Sequence, residues 1–147
     1  MSENPRFSVL DSRGLLAVGG SERVSFLQGL VSNDMEQVAP DRAVYAALLS
    51  PQGKYQYDFF VVEMDGVLLI DCERDALEGL KKRLSLFKLR ADVTLEDRSG
   101  EFCVAGVFGD GALSALGLDE TPGHAVTLGG GVVCTAPRMA AVGGRAY

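Results

Sequence analysis

The sequence predicts an α+β fold: a mainly antiparallel sheet with two or three helices. Short apolar, β-branched runs recur along the chain, separated at hairpin spacing by turn chemistry such as Pro51-Gln52-Gly53 and Asp65-Gly66. A single long segment, 73–90, has clear helical periodicity, so helices stand apart from the strands and do not alternate with them as a parallel sheet requires. At 147 residues, with 47% apolar and 23% charged side chains, the chain is sized for one ordinary domain, or two very small ones, with a real core. It contains no repeat and no low-complexity linker.

In chain order, "GLLAVGG" (14–20) reads as a strand ending in a glycine turn. Ser21 is placed to cap "SERVSFLQGL", a short helix with Val24, Phe26, Leu27 and Leu30 on or near one face. The turn-rich "VSNDMEQVAPD" leads into three strands: "AVYAALL", "KYQYDFFVVEM" and "VLLIDC". "ERDALEGLKKRLSLFKLR" follows as the clearest helix, with Leu77, Leu80, Leu84 and Phe87 at helical spacing. "ADVTLED" and "EFCVAGVFG" return to strand character. "GALSALGL" is a short helix stopped by Gly117, and "AVTLGGGVVCTAP" a strand pair around a glycine turn.

A net charge of −6 argues against broad binding of DNA, RNA or anionic membrane. No apolar run reaches the roughly 18 residues of a membrane span. "MSENPRFSVLDSRG" shows no basic stretch followed by an apolar one, so no secretory signal is read there. The three cysteines, Cys72, Cys103 and Cys134, are far apart and form no close pair, so they read as buried free thiols of a cytoplasmic protein and no metal site is expected. The lone His124 is not expected to be catalytic.

One charge interrupts a strand that otherwise looks built for a core: Asp58, between Tyr57 and Phe59. Alternation puts Gln56, Asp58, Phe60 and Val62 on one face of the strand. Counting back through the Ser50–Gly53 turn pairs Tyr45 directly with Asp58, with Cβ atoms about 5 Å apart, provided that no bulge intervenes. The phenol and the carboxylate then share one sheet face. That face is either solvated, with Asp58 merely bonded to Tyr45 or a loop amide, or it lines a pocket. In the pocket, an aromatic wall and a carboxylate acceptor would recognise a heteroaromatic ligand carrying N–H groups.

Three segments in order, "VGGSERVSFLQGLVSND", "YAALLSPQGKYQYDFFV" and "LKKRLSLFKLRADVTLED", resemble the N-terminal part of the folate-binding YgfZ family. That family shares a superfamily with the glycine-cleavage T-protein, a tetrahydrofolate-dependent aminomethyltransferase. The resemblance runs from about Leu15 to Asp97 and continues more weakly in "EFCVAGVFGDGALSALGL". It implies a folate pocket beside the sheet, holding tetrahydrofolate or a one-carbon derivative. The aspartate and tyrosine through which T-proteins contact folate match Asp58 and Tyr45, and the loop near the cavity matches Asn33 and Asp34.

The YgfZ branch implies support of iron–sulfur cluster assembly or repair in client proteins, tRNA-modifying enzymes among them. The alternative it leaves is aminomethyl transfer with Asp58 as the positioning or acid–base group, against which the aromatic of T-proteins is replaced by Val62. A third alternative is a non-catalytic interaction domain, with an exposed sheet face that favours homodimers. The family's Lys-Gly-Cys-Tyr-x-Gly-Gln-Glu signature does not occur in the chain. "APRMAAVGGRAY" looks like the run-in to it, so residues 1–147 are expected to be an N-terminal folate-binding region lacking a C-terminal half.

The remaining features have plain explanations. "VGG" and the glycines at 129–131 lack phosphate-loop spacing and read as turns. Lys81, Lys82, Arg83, Lys88 and Arg90 read as a solvated helix face, with attraction for a folate's glutamate tail or an RNA client as the alternative. Arg13 falls where the family can place an aromatic folate contact, and Asn33-Asp34 also fits a self-satisfied Asx turn.

Overall fold

The computed structural model describes residues 6–50, 52–109, 111–128, 130–137 and 143–147. The strands are β1 (Arg6–Val9), β2 (Arg13–Gly19), β3 (Val44–Leu49), β4 (Tyr55–Met64), β5 (Val67–Glu73), β6 (Thr94–Asp97), β7 (Ala105–Phe108), β8 (Ala125–Leu128), β9 (Gly131–Thr135) and β10 (Gly144–Ala146). The helices are α1 (Arg23–Gln28), α2 (Arg74–Lys88) and α3 (Ala112–Ala115). They form two five-stranded sheets, ordered β3-β4-β5-β2-β6 and β1-β7-β10-β9-β8. All the strand pairs described are antiparallel, as the sequence predicts.

The hairpin between β4 and β5 shows how local sequence sets the topology. Asp65 and Gly66 both take positive φ, 53° and 78°, the pair of values that a type I′ turn demands and that Asp-Gly tolerates best. The turn between β3 and β4 closes through Ser50, whose amide donates to the Lys54 carbonyl at 2.7 Å and whose carbonyl accepts from Gly53 at 2.8 Å. Pro51 lies outside the described residues, as does Gly129 of the β8–β9 turn.

Helix α2 buries Leu77, Leu80 and Leu84 against one face of the first sheet, where Leu16, Val18, Phe59, Val61, Leu68 and Ile70 complete the main core. Fully burying each leucine contributes about 1.5–3 kcal/mol. Phe87 does not join them: it is 42% exposed and lies under the Arg83 guanidinium, 6.0 Å from its ring centre. The other face of the sheet meets the second sheet through Ala17, Val62, Met64, Leu69, Ala125, Val132 and Cys134.

Ser21 does not cap α1. The helix begins at Arg23 after Glu22, with no side-chain cap. Gly20, at φ 100°, brings the chain so close to Asp92 that a Cβ there would meet the Asp92 carbonyl oxygen at 2.1 Å. Ser21 is thereby aimed at the Asp92 carboxylate and donates to it from its hydroxyl at 2.5 Å and its amide at 3.1 Å. Two strands have no counterpart in the sequence reading, β1 and β10. β10 lies between β7 and β9 in the centre of the second sheet, and most of the preceding run-in, 138–142, lies outside the described residues.

Candidate functional site

The pairing of β3 with β4 differs from the simple count. Tyr45 pairs with Phe60 and Ala47 with Asp58, because Leu48 pairs with Tyr57 but Leu49 with Tyr55, which makes Gln56 the extra residue of a bulge. The turn, which sets Leu49 opposite Tyr55, shifts the count by one residue and the bulge by one more, and a total of two preserves the face. Tyr45 and Asp58 are therefore diagonal neighbours on one side of the sheet, and the Tyr45 hydroxyl donates to Asp58 Oδ2 at 2.6 Å. Both side chains are half-buried. Tyr55 approaches the same carboxylate, and its phenol is pushed above the ordinary tyrosine value by desolvation and then by the Asp58 charge.

Asn33 and Asp34 border this pair. Asn33 Nδ2 donates to the Tyr45 carbonyl at 2.9 Å, while its Oδ1 accepts the Asp34 amide at 2.7 Å. Asp34 in turn caps the short 3₁₀ turn Met35–Gln37 by accepting the Glu36 amide at 3.0 Å. Ser32 continues the contact: its amide donates to the Ala47 carbonyl at 2.9 Å and its hydroxyl accepts the Ala47 amide at 3.0 Å. The loop thus covers the edge of β3 and ties the backbone under Tyr45.

Beyond Tyr45 the same face carries a polar cluster absent from the sequence reading. The Tyr45 and Phe60 rings are 5.4 Å apart and tilted by 47°. Two guanidinium groups approach Phe60, Arg145 at 4.7 Å and Arg13 at 5.9 Å from the ring centre. Both arginines grip Asp71, which pairs across the strand with Phe60. Arg13 Nε donates to Oδ1 and Arg145 Nε to Oδ2, each at 2.7 Å, and the Tyr147 hydroxyl adds a third bond to Oδ2 at 2.7 Å. Arg13 also donates to the Asp71 carbonyl at 2.8 Å. Asp71 is 0% exposed, and the two arginine side chains 16% each. Arg13 is therefore a structural partner of Asp71. The signal that could have found Asp71 is the one that found Asp58: an aspartate inside an apolar strand.

Four cavities stand out among the described residues, and Tyr45 and Asp58 line none of them. The largest, about 360 Å³, is an apolar groove of the second sheet, lined by Phe7, Val107, Ala112, Leu116, Leu128 and Val133 among others. Tyr45, Asp58 and Phe60 form a half-buried shelf on the sheet face. Val62 is packed between the sheets and faces no ligand space.

The cysteines separate into two kinds. Cys72 and Cys134 are buried, and burial pushes each thiol up to about 12. Cys103 is exposed, which corrects the expectation of three buried thiols. All three are free, and the described residues contain no group of three or more metal-ligating side chains. His124 has a structural role: its Nδ1 accepts the Asp119 amide at 3.1 Å.

No family model matches the chain. It is 32% identical over 152 residues to the human iron–sulfur cluster assembly factor IBA57, a mitochondrial protein, covering 92% of this chain and 41% of that protein. It is 35% identical over 105 residues to the mitochondrial IBA57 homologue of Mycosarcoma maydis, covering 63% of this chain and 26% of the relative. The chain thus spans less than half the length of these relatives. The glycine cleavage system aminomethyltransferase T from Bartonella henselae superposes with a TM-score of 0.74 at 14% identity, over 97% of this chain and 41% of that one.

The mitochondrial relatives overturn the cytoplasmic reading. Free thiols report a reducing surrounding and cannot tell one such compartment from another. No described helix is long and apolar enough to cross a membrane. The resemblance seen in the sequence stands: the chain is a relative of the iron–sulfur cluster assembly factors named IBA57, built on the fold of the glycine-cleavage T-protein.

Proposed function

We propose that the chain is the folate-facing portion of an iron–sulfur cluster assembly or repair factor, one that holds tetrahydrofolate or a one-carbon derivative without turning it over. The observation that carries this reading is the 2.6 Å bond from Tyr45 to Asp58 on a half-buried face flanked by the Phe60 ring. An ionised carboxylate has about four acceptor positions, and the phenol fills one. The remainder suit the adjacent N–H donors of a pterin, and the tilted Tyr45 and Phe60 rings offer its flat body an apolar wall. Asn33 and Asp34 border the ligand through the loop tied to Tyr45. The names of the relatives supply the cluster-assembly half of the reading; its clients would be iron–sulfur proteins, with tRNA-modifying enzymes among them as the resemblance to the YgfZ family implies.

Aminomethyl transfer is the second reading, favoured by the T-protein fold and by the presence of Asp58. The burial of Val62 in the space between the sheets weighs against it, since no aromatic wall stands there.

Titrating 5-formyl-tetrahydrofolate into the wild-type chain, Asp58→Asn and Tyr45→Phe tests both. Saturable binding that weakens roughly tenfold in Asp58→Asn, with no release of a methylene group from an aminomethyl donor, supports the proposal. Turnover that depends on Asp58 selects the transferase reading, and absence of binding by the wild-type chain removes the ligand site.

A further inference from the structure

We infer that Arg145 is a positioning residue for the Tyr45–Asp58 pair, acting through the ring of Phe60. Its meaning for ligand binding rests on the reading above; the mechanical coupling does not. Arg145 comes from β10 of the second sheet, whereas Tyr45, Asp58 and Phe60 belong to the first. A single contact, Arg145 Nε to Asp71 Oδ2, would be enough to tie the sheets together. The guanidinium does more than that. Its carbon lies 4.7 Å from the Phe60 ring centre, while Nη2 is buried with no hydrogen-bond partner among the described residues.

A buried donor without an acceptor is unfavourable, so a guanidinium held only by the Asp71 ion pair would turn to satisfy it. The ring face offers that cation a compensating attraction, and Arg13 approaches the same ring at 5.9 Å. Phe60 is thus held in orientation by cations. Its opposite neighbour is the Tyr45 ring at 5.4 Å, across the strand in register. A tyrosine ring has two torsions, and the contact with Phe60 restricts both. The direction in which the hydroxyl reaches Asp58 therefore follows from where the Phe60 ring stands, and that follows from Arg145.

Lysine separates this role from a simple sheet-to-sheet tie. Arg145→Lys keeps a cation within reach of Asp71 but cannot lie flat on a ring. Phe60→Leu keeps the Arg145–Asp71 bond and removes the intermediary. In ligand-free, isotopically labelled protein, the Tyr45 Cζ resonance reports its hydroxyl bond, and Asp58→Ala supplies the position of that signal when the bond is broken. Both Arg145→Lys and Phe60→Leu are expected to move the signal toward the Asp58→Ala position, and Arg145→Lys also to lose the wild-type contacts between the Tyr45 and Phe60 rings. A Tyr45 signal that stays at its wild-type position in either variant overturns the inference. If Arg145→Lys fails to fold, Phe60→Leu decides alone.

In the binding arm, Arg145→Lys should weaken 5-formyl-tetrahydrofolate roughly three- to tenfold. A wild-type chain that binds no folate defeats the ligand reading, and the resonance of Tyr45 still decides whether Arg145 positions it.

Discussion

Two aspartates share one face of the first sheet and have opposite fates. Asp58 on β4 and Asp71 on β5 flank the same phenylalanine, Phe60, which follows Asp58 by two residues and pairs across the strand with Asp71. Asp71 is sealed, with two guanidiniums and a phenol on its oxygens. Asp58 is half-buried and bonded to Tyr45, and no cation is among its described hydrogen-bond and ion-pair partners. A carboxylate wholly withdrawn from water needs paired charge and filled acceptors, and Asp71 has both. One left at a boundary keeps spare acceptor positions that a ligand can fill. Burial, more than residue type, separates the structural acid from the available one.

The sharpest way to break this contrast is to remove the sealed charge. Asp71→Ala leaves two nearly buried guanidiniums facing each other, and the expected loss is about 3–5 kcal/mol, read as a lower midpoint in urea unfolding. A loss no larger than that of an exposed substitution would mean that water already reaches the cluster.

Tyr147→Phe is next, at about 1–3 kcal/mol, because it leaves the Asp71 oxygen one donor short. This change also carries a pH signature. Burial, then the Asp71 charge, holds the Tyr147 phenol well above its ordinary value. The folded state thus favours the protonated phenol. The resulting stability is fully present below the unfolded tyrosine value of about 10 and is lost as pH rises beyond it. Wild-type stability should fall above pH of about 10 more steeply than that of Tyr147→Phe. Parallel alkaline profiles for the two proteins would show that the phenol is not sealed.

How much of this was legible in the sequence follows from the distances along the chain. Local rules worked where they apply: Asp65-Gly66 made its hairpin, and Leu77, Leu80 and Leu84 faced the core. The face shared by Tyr45 and Asp58 survived a wrong register because the turn and the bulge each moved the pairing by one residue, two in all. Asp71 emitted the same signal as Asp58, but its partners stand 58 and 74 residues away, and no local pattern links Arg13 or Arg145 to it. β10 was invisible for a related reason. Three residues, Gly-Arg-Ala, have no alternation to read, and only the neighbours β7 and β9 make them a strand.

On the open side the expected effects on stability shrink. Asp58→Asn keeps an acceptor for the Tyr45 hydroxyl and buries no new charge, so unfolding should change by less than about 1 kcal/mol. The same substitution is the one expected to weaken folate, so loss of affinity without loss of stability is the pattern that distinguishes an available acid from a structural one. A drop in stability comparable to that of Asp71→Ala would erase the distinction.

The smallest effect on stability, and the cleanest probe of sealing, comes from the thiols. Cys72 follows Asp71 on β5, and Cys134 of β9 pairs with Arg145 of β10. Both are buried and pushed up to about 12, so near pH 8 they remain protonated as well as inaccessible. Cys103 is exposed. A thiol reagent at pH 8 should therefore modify one cysteine per folded chain, and Cys103→Ser should abolish that reaction while leaving the unfolding midpoint unchanged. Labelling of Cys134 at a comparable rate would mean that the second sheet opens over Asp71 on the time scale of the reaction. The separation between a sealed aspartate and an open one would then be a matter of how often the sheets part.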